Sequence, residues 1–272
     1  MISTSPAAYH RTGDAGILKI CVLASSSSGN CAFIGTDRAR ILVDCGLSRK
    51  ETIARMAAIG EDLANLDAVV VTHEHSDHVL GLVSIARSLK KPVYLTERTA
   101  ASLDWGSCHP VIQHFQAGTS FRVGDIDVDS FTIPHDAADP VGFSFRSAGV
   151  KASIVTDLGY IPASIGFHLR SADWVLMESN HDLGMLRVGP YPWSVKQRIM
   201  GRNGHLSNDH AARFIAEDLD SHVSTLILGH LSENTNHPAL ADQAARMALE
   251  DRGLNTRLIV AEPKKALDAF VY

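Results

Sequence analysis

Apolar and polar positions change period several times along this chain, and the changes mark out its elements. "ILKICVLAS" (17–25) is an apolar run that stops at the Ser/Gly turn "SSSGN". "CAFIG" (31–35) and "ARILVDCG" (39–46) follow at hairpin spacing, so the chain opens as β-strands. The pattern then turns helical: Ser48 can cap a helix over "RKETIARMAAIG" (49–60), with Gly60 at its end. A short buried strand, "LDAVVVT" (66–72), precedes "VLGLVSIARSLK" (79–90), which has the period of one helix. "PVYLT" (92–96) reads as a strand and "ERTAASLDW" (97–105) as a short helix.

From about residue 111 to 156 strands return, in "SFRVGDIDVDSFTI", "VGFSFRS" and "VKASIVTD". Helices are predicted at "WSVKQRIMGR", "NDHAARFIAEDL" and "PALADQAARMALEDRG", interspersed with the buried strands "DWVLMES" and "STLILGH". Strands followed by helices thus occur twice, with no repeat of fixed period and no low-complexity linker between. Two sheets packed together, each covered outside by helices, would use both halves, which predicts one layered domain over residues 17–272. Residues 1–16 are polar, lack the apolar stretch of a secretory signal, and are expected to form a frayed tail.

Composition alters this picture little. A hydrophobic fraction of 45% with 20% charged residues is ordinary for a globular chain. The apolar runs are far too short for a membrane span. A net charge of −5 argues against a uniformly basic nucleic-acid coat but allows a local patch. Cys21, Cys31, Cys45 and Cys108 show no C-x-x-C spacing, so buried thiols in a reduced, cytoplasmic chain are expected. The 14 histidines are what stands out.

Their densest cluster is "VVVTHEHSDHVLGL" (69–82), at the end of a buried strand. Extended backbone sends residues i and i+2 to one side, so His73 and His75 can reach one metal ion while Glu74 turns away. Asp77 and His78 follow the turn into a helix and face a second point, which suits two neighbouring ions. Imidazole with carboxylate suits Zn, Mn or Fe, and the absence of cysteine disfavours a purely structural zinc site. A bland reading has surface histidines with Asp77 as a helix cap. Two ions need further ligands at other strand ends: His135 follows a strand, and Asp157 and His230 each follow an apolar run. Taken singly, each is also consistent with a turn residue or a satisfied core group.

"ARILVDCGLS", "THEHSDHVLGL", "IPHDAADPVGF", "IVTDLGY" and "LILGH" resemble, in order, the successive motifs of the metallo-β-lactamase superfamily. The resemblance implies an α/β (α+β) fold, the four-layer αββα sandwich, with metals at one edge. It implies His73, His75 and His135 as ligands of one divalent ion, and Asp77, His78 and His230 of the other, with Asp157 bridging. Asp44 would support the ligands from behind; a plain hairpin-turn role is the alternative. "LASSSSGNC", "ESNHD", "GHLSN" and "LGHLSENTNHP" are similar to the WalJ (YycJ-like) group, which implies a nucleic-acid phosphodiesterase, specifically a 5′-to-3′ DNA exonuclease. DNA is favoured over RNA as substrate, and the sequence sets no oligomeric state. Relatives include tRNase Z, whose proton-donating Glu and His match Glu178 and His205 here. The "HEAT" segment of tRNase Z is "MESN" in this chain, and the 72 residues between Asp157 and His230 leave no room for the inserted domain of the β-CASP branch.

On this reading two ions activate water and offset charge on a phosphodiester, with Asp77 in the catalytic centre. His205 protonates the leaving alkoxide, and Glu178 orients it. A Glu178 that caps the "SNHD" turn, beside a solvated His205, is the plainer reading. Asn180, His181, Asn234 and His237 are candidates to bind phosphate oxygens or are turn residues. "SSSSGN" (25–30) either touches substrate or closes a hairpin. The stretch 183–208 carries Arg187, Lys196, Arg198 and Arg202 among Tyr191 and Trp193 without Asp or Glu. Lys196 and Arg198 on a nucleic-acid track, or a solvated helix, both fit it. A small-molecule hydrolase of cyclic phosphodiesters, thioesters or lactones on the same centre is the competing function.

Overall fold

The computed structural model describes residues 16–272; the tail expected over residues 1–16 lies, apart from Gly16, outside them. Strands β1 (Lys19–Ser26), β2 (Gly29–Gly35) and β3 (Arg40–Val43) form an antiparallel meander. After α1 (Arg49–Ala58), β4 (Ala68–Val70) adds parallel to β3. Helices α2 (Ser76–Val79) and α3 (Leu82–Leu89) lead to β5 (Pro92–Thr96), and α4 (Glu97–Ala101) to β6 (Val111–Phe115), both parallel additions. The second half repeats the plan. β7 (Ser120–Val123), β8 (Ile126–Thr132), β9 (Val141–Ser147) and β10 (Val150–Val155) form a second antiparallel meander. Then follow α5 (Ala163–Leu169), β11 (Trp174–Glu178), α6 (Leu183–Val188), α7 (Trp193–Ile199) and α8 (Asn208–Glu217). β12 (Thr225–Gly229), α9 (Pro238–Asp251) and β13 (Arg257–Val260) complete the parallel part. β14 (Phe270–Val271) returns to pair with β1. The sheets run β14-β1-β2-β3-β4-β5-β6 and β13-β12-β11-β10-β9-β8-β7.

The unbroken apolar strands exist because both of their faces are covered. In β11, Trp174 and Leu176 join the layer between the sheets, while Val175 and Met177 pack with Ile165, Phe214 and Ala245 of the outer helices. In β1, Ile20 and Val22 enter the same central layer, and Cys21 and Leu23 pack outward with Met56 and Ile85. Alternation thus sorts one strand between two cores, and the four layers are the expected αββα sandwich. The four cysteines are buried free thiols, and burial pushes Cys21 up to about 12. No helix among the described residues is long and apolar enough to cross a membrane.

Ser48 caps α1 as expected, accepting the Glu51 amide. The single helix expected over 79–90 is instead two, divided at Leu80 and Gly81. The Gly81 amide leaves the helical pattern to bond the Cys45 carbonyl at 2.8 Å, and a Cβ there would lie 2.2 Å from the Leu47 carbonyl, so only glycine fits against the loop after β3. α4 ends at Ala101, short of the predicted 97–105. α5 and α6 were not anticipated: each is short and carries an interior glycine, Gly166 or Gly184, which weakens the helical signal. β13 and β14 also escaped notice, being short strands at the sheet edges.

Candidate metal centre

Parallel strands deliver their C-terminal ends to one edge, where open α/β sheets place ligands. After β4 the chain bends at Thr72 and passes His73 to reach His75, which sits at the N-cap of α2; Asp77 and His78 lie in that helix. His73 and His78 are fully buried. A Cβ at Gly46 would fall 1.7 Å from the Asp77 carbonyl, so only glycine lets the loop after β3 pass beneath α2. That loop carries Asp44. Its carboxylate accepts the Thr72 amide (2.8 Å), the Thr72 hydroxyl (2.9 Å) and His78 Nδ1–H (2.8 Å). Because the Thr72 proton goes to Asp44, its oxygen accepts from His73 Nδ1 at 3.0 Å. In its neutral form, the one a metal requires, each imidazole therefore presents Nε2 as its lone pair.

The second sheet supplies the facing wall. Asp157 follows β10, Glu178 ends β11, and His230 follows β12. Asp44, Asp157 and His230 share left-handed backbone, with φ of 59°, 63° and 54°. Asp and His are among the residues that tolerate this conformation, and it turns a strand-end side chain back over the sheet edge. His135 Nδ1 lies 3.2 Å from the Gly204 carbonyl, which makes it the protonated nitrogen. Its Nε2 faces His75 Nδ1 at 3.2 Å.

Two groups of donors match the expected ligand set, and a third joins Asp157 and His230 with Glu178 and His205. In the first, His73, His75 and His135 converge, and buried His73 Nε2 has no hydrogen-bond partner. In the second, His78 Nε2 lies 3.1 Å from Asp157 and 3.5 Å from Asp77. His230 Nε2 lies 3.2 Å from Asp77 and 3.3 Å from Asp157. Donors set tetrahedrally around one ion at roughly 2.0–2.2 Å stand about 3.4 Å apart, so the residues fit a divalent metal.

Charge agrees with geometry. Burial holds His73 and His135 below the ordinary histidine range. Burial would lower His78 and His230 as well, but carboxylates override it. Asp157, Asp44 and Asp77 raise His78, while Asp157, Asp77 and Glu178 push His230 up to about 10. In return, burial that would raise Asp157 is outweighed by His230 and His78, which hold it well below the usual carboxylate range. Protons thus stand where a cation would neutralise the carboxylates, and metal binding would release them.

Glu178 is fully buried and accepts four hydrogen bonds. Oε1 takes His205 Nδ1 at 2.8 Å and His230 Nδ1 at 2.9 Å. Oε2 takes the amides of Leu158 and Leu206 at 2.9 and 3.1 Å. Despite burial, the two histidines keep it ionised, down to about 2. Burial opposes the charged form of His205, but Glu178 prevails and raises it. The side chain of His205 keeps 19% exposure, enough to meet a substrate.

The sequence reading paired Glu178 with His205 but missed its hold on His230. Thr72 was missed as well. In the turn 25–30, Ser25 accepts the His230 amide at 2.8 Å, and the Asn30 amide group closes on Ser26 and reaches Asp77 at 3.2 Å.

The residues expected to contact substrate have the following surroundings. Asn180 is buried and donates to the His230 carbonyl at 2.8 Å, so it braces the backbone. His237 caps α9, accepting the Ala239 amide. Buried Lys196 donates to the Arg187 carbonyl at 2.8 Å and ties α7 to the end of α6. His181 is buried, and burial pushes it down to about 4. Asn234 donates to the Tyr191 hydroxyl. Exposed Arg198 ion-pairs with Asp136, beside His135.

Residues 39–231 match the beta-lactamase superfamily domain. The chain is 37% identical over 244 residues to exodeoxyribonuclease YycJ of Bacillus anthracis, covering 87% of this chain and 90% of that protein. Exodeoxyribonuclease WalJ of Streptococcus pneumoniae is also 37% identical, over 82% and 85%. The metallo-beta-lactamase fold protein YhfI of Bacillus subtilis superposes with a TM-score of 0.69 at 16% identity, covering 94% and 99%.

Proposed function

Because the chain belongs to the metallo-β-lactamase superfamily, and within it to the YycJ/WalJ family, we propose that it is a dinuclear-metal phosphodiesterase that degrades DNA from the 5′ end. The exodeoxyribonuclease names of its relatives support the substrate class. The observation that carries the chemistry is one buried carboxylate, Glu178, shared between His205 and His230. His73, His75 and His135 would hold one ion, Asp77, His78 and His230 the other, with Asp157 between; Zn or Mn suits the donor set, and Fe is compatible. When bound, the ions supply water that is nucleophilic at neutral pH and offset charge on the phosphodiester oxygens.

The protein's own residues do the rest. Asp44 and Glu178 occupy Nδ1 of His78 and His230 and so fix which nitrogen each presents. His205 gives its Nδ1–H to Glu178, which leaves Nε2–H for the departing alkoxide. Ionised Glu178 favours the charged form of His205 against the effect of burial, which helps to hold that proton on the ring. The deciding assay offers end-labelled single- and double-stranded DNA and RNA with Zn or Mn. Stepwise release of nucleotides from the 5′ end of DNA is expected. Hydrolysis confined to small cyclic or chromogenic esters, with every polymer intact, would overturn the reading.

A further inference from the structure

The turn between α6 and α7, with the helix residues that flank it, reads "VGPYPW" (188–193) and lies within the basic stretch 183–208. Val188 is 88% exposed and Trp193 62%. Single exposed apolar residues are ordinary, so exposure alone decides nothing. Three further observations set this turn apart. First, it is braced. Pro190 and Pro192 restrict its backbone, and the Tyr191 hydroxyl accepts from Asn234 at 3.0 Å. At the start of α6 the Asp182 amide bonds the Thr235 carbonyl, and a Cβ at Gly189 would lie 3.0 Å from the Thr235 methyl. Asn234 and Thr235 belong to the loop that leaves His230, so the turn is fixed relative to the candidate metal centre. Second, the indole of Trp193 stacks on no ring or guanidinium among the described residues, while the ring of Tyr160 is covered by Arg202. Third, the surrounding segment has cations and no acid from Leu183 to Ser207, and Arg187 is exposed with no ion-pair partner among the described residues.

We propose that this turn is a stacking platform for a single nucleic-acid strand, with Trp193 against a base and Arg187 against the backbone. The proposal rests on the nuclease reading and deepens it. A rigid aromatic presented at the surface loses little conformational freedom on binding, and every base offers a face to stack on. The cations Lys196 and Arg198 are engaged elsewhere, so the platform depends on the aromatic and on Arg187 rather than on a basic track. Being tied to the His230 loop, it sets where along the strand a phosphodiester meets the site.

The test is equilibrium binding of a labelled, cleavage-resistant phosphorothioate oligothymidylate to wild type, Trp193→Ala, Trp193→Phe and Arg187→Ala, each checked for an unchanged melting temperature. Trp193→Ala should weaken binding roughly tenfold, within the usual range for one stacked base, and Trp193→Phe should recover most of it. Arg187→Ala should flatten the dependence on log salt by about one. If Trp193→Ala binds like wild type while wild type degrades DNA, the platform is wrong and the nuclease reading stands. If wild type neither binds nor degrades any oligonucleotide, the nuclease reading fails and takes the platform with it. A wild-type dimer that Trp193→Ala dissociates would make the turn a protein interface and overturn the proposal.

Discussion

The floor of the candidate site and its rim are built on opposite terms. On the floor, polar groups are buried and braced by protein: Asp44 behind His78, Gly204 behind His135, Glu178 behind both His205 and His230. At the rim, Val188 and Trp193 stand exposed on a proline-flanked turn. The contrast separates chemistry from choice of substrate. A braced donor keeps its geometry whatever ester arrives, whereas an exposed aromatic gains a partner only when a substrate reaches it. Substitutions on the floor should therefore damage the turnover of every substrate, and those at the rim should act through the polymer.

The largest effect is expected from Glu178→Gln. An amide has one oxygen to accept and two N–H groups to donate, where four donors now converge on two carboxylate oxygens. Loss of the orienting partner should remove most of the general-acid contribution, roughly 10²–10⁴ in rate, and weaken metal affinity by about 10–100-fold through His230. Zinc titration against a competing chelator, run beside assays on DNA and a small diester, reads both. A defect confined to DNA would move Glu178 from floor to rim and break the comparison.

His205→Ala comes next and divides the floor itself. Both ions should stay, since His205 stands behind no proposed ligand, and DNA turnover should fall by roughly 10²–10⁴. The defect should shrink on a p-nitrophenyl ester, whose leaving group needs no proton. Equal losses on both substrates would assign His205 to binding.

The floor was largely legible because its residues sit where apolar runs stop. Residues 73–78 are contiguous, Asp157 and His230 each follow a buried strand, and His135 follows the half-buried β8. What stayed hidden is adjacency made by sheet order. Glu178 reaches His230 because β11 and β12 pair with Glu178 opposite Gly229, a register that no local pattern encodes. The rim was less legible for a different reason. Counting charges treats Lys196 and Arg187 alike, yet helix packing buries one and exposes the other. The split of the helix expected over 79–90 was hidden likewise, since the Cys45 carbonyl that the Gly81 amide bonds lies in a different loop.

A smaller effect concerns His181, the buried histidine whose Nδ1 lacks a partner. Burial pushes it down to about 4, against an ordinary histidine value near 6.5. Its folded-state pKa is therefore depressed, so the unfolded chain takes up its proton first. Stability is full above about 6.5 and is lost as pH falls toward 4, by about 3 kcal/mol from this group. In urea melts across that window, His181→Leu should show a shallower acid slope than wild type. Identical slopes would mean that His181 is protonated in the folded protein and that the floor's burial ends before it.

The smallest expected effect marks where floor gives way to rim. Lys196 lies on the same helix as Trp193, yet its ammonium points back to the Arg187 carbonyl at the end of α6. Lys196→Met keeps the aliphatic stem and removes the donor. A hydrogen bond from a charged group contributes about 1.5–3 kcal/mol, and the freed carbonyl stands beside exposed residues where water can replace part of it. Stability should fall by about 1 kcal/mol in urea melts, while oligothymidylate affinity and its salt dependence stay at wild-type values. The salt dependence carries the decision, because removing a cation that neutralises one phosphate should reduce its slope by about one. An unchanged slope confines the rim to the 188–193 turn and Arg187. A slope reduced by one would mean that Lys196 swings out to meet the strand, and the rim would then extend along the whole of α7.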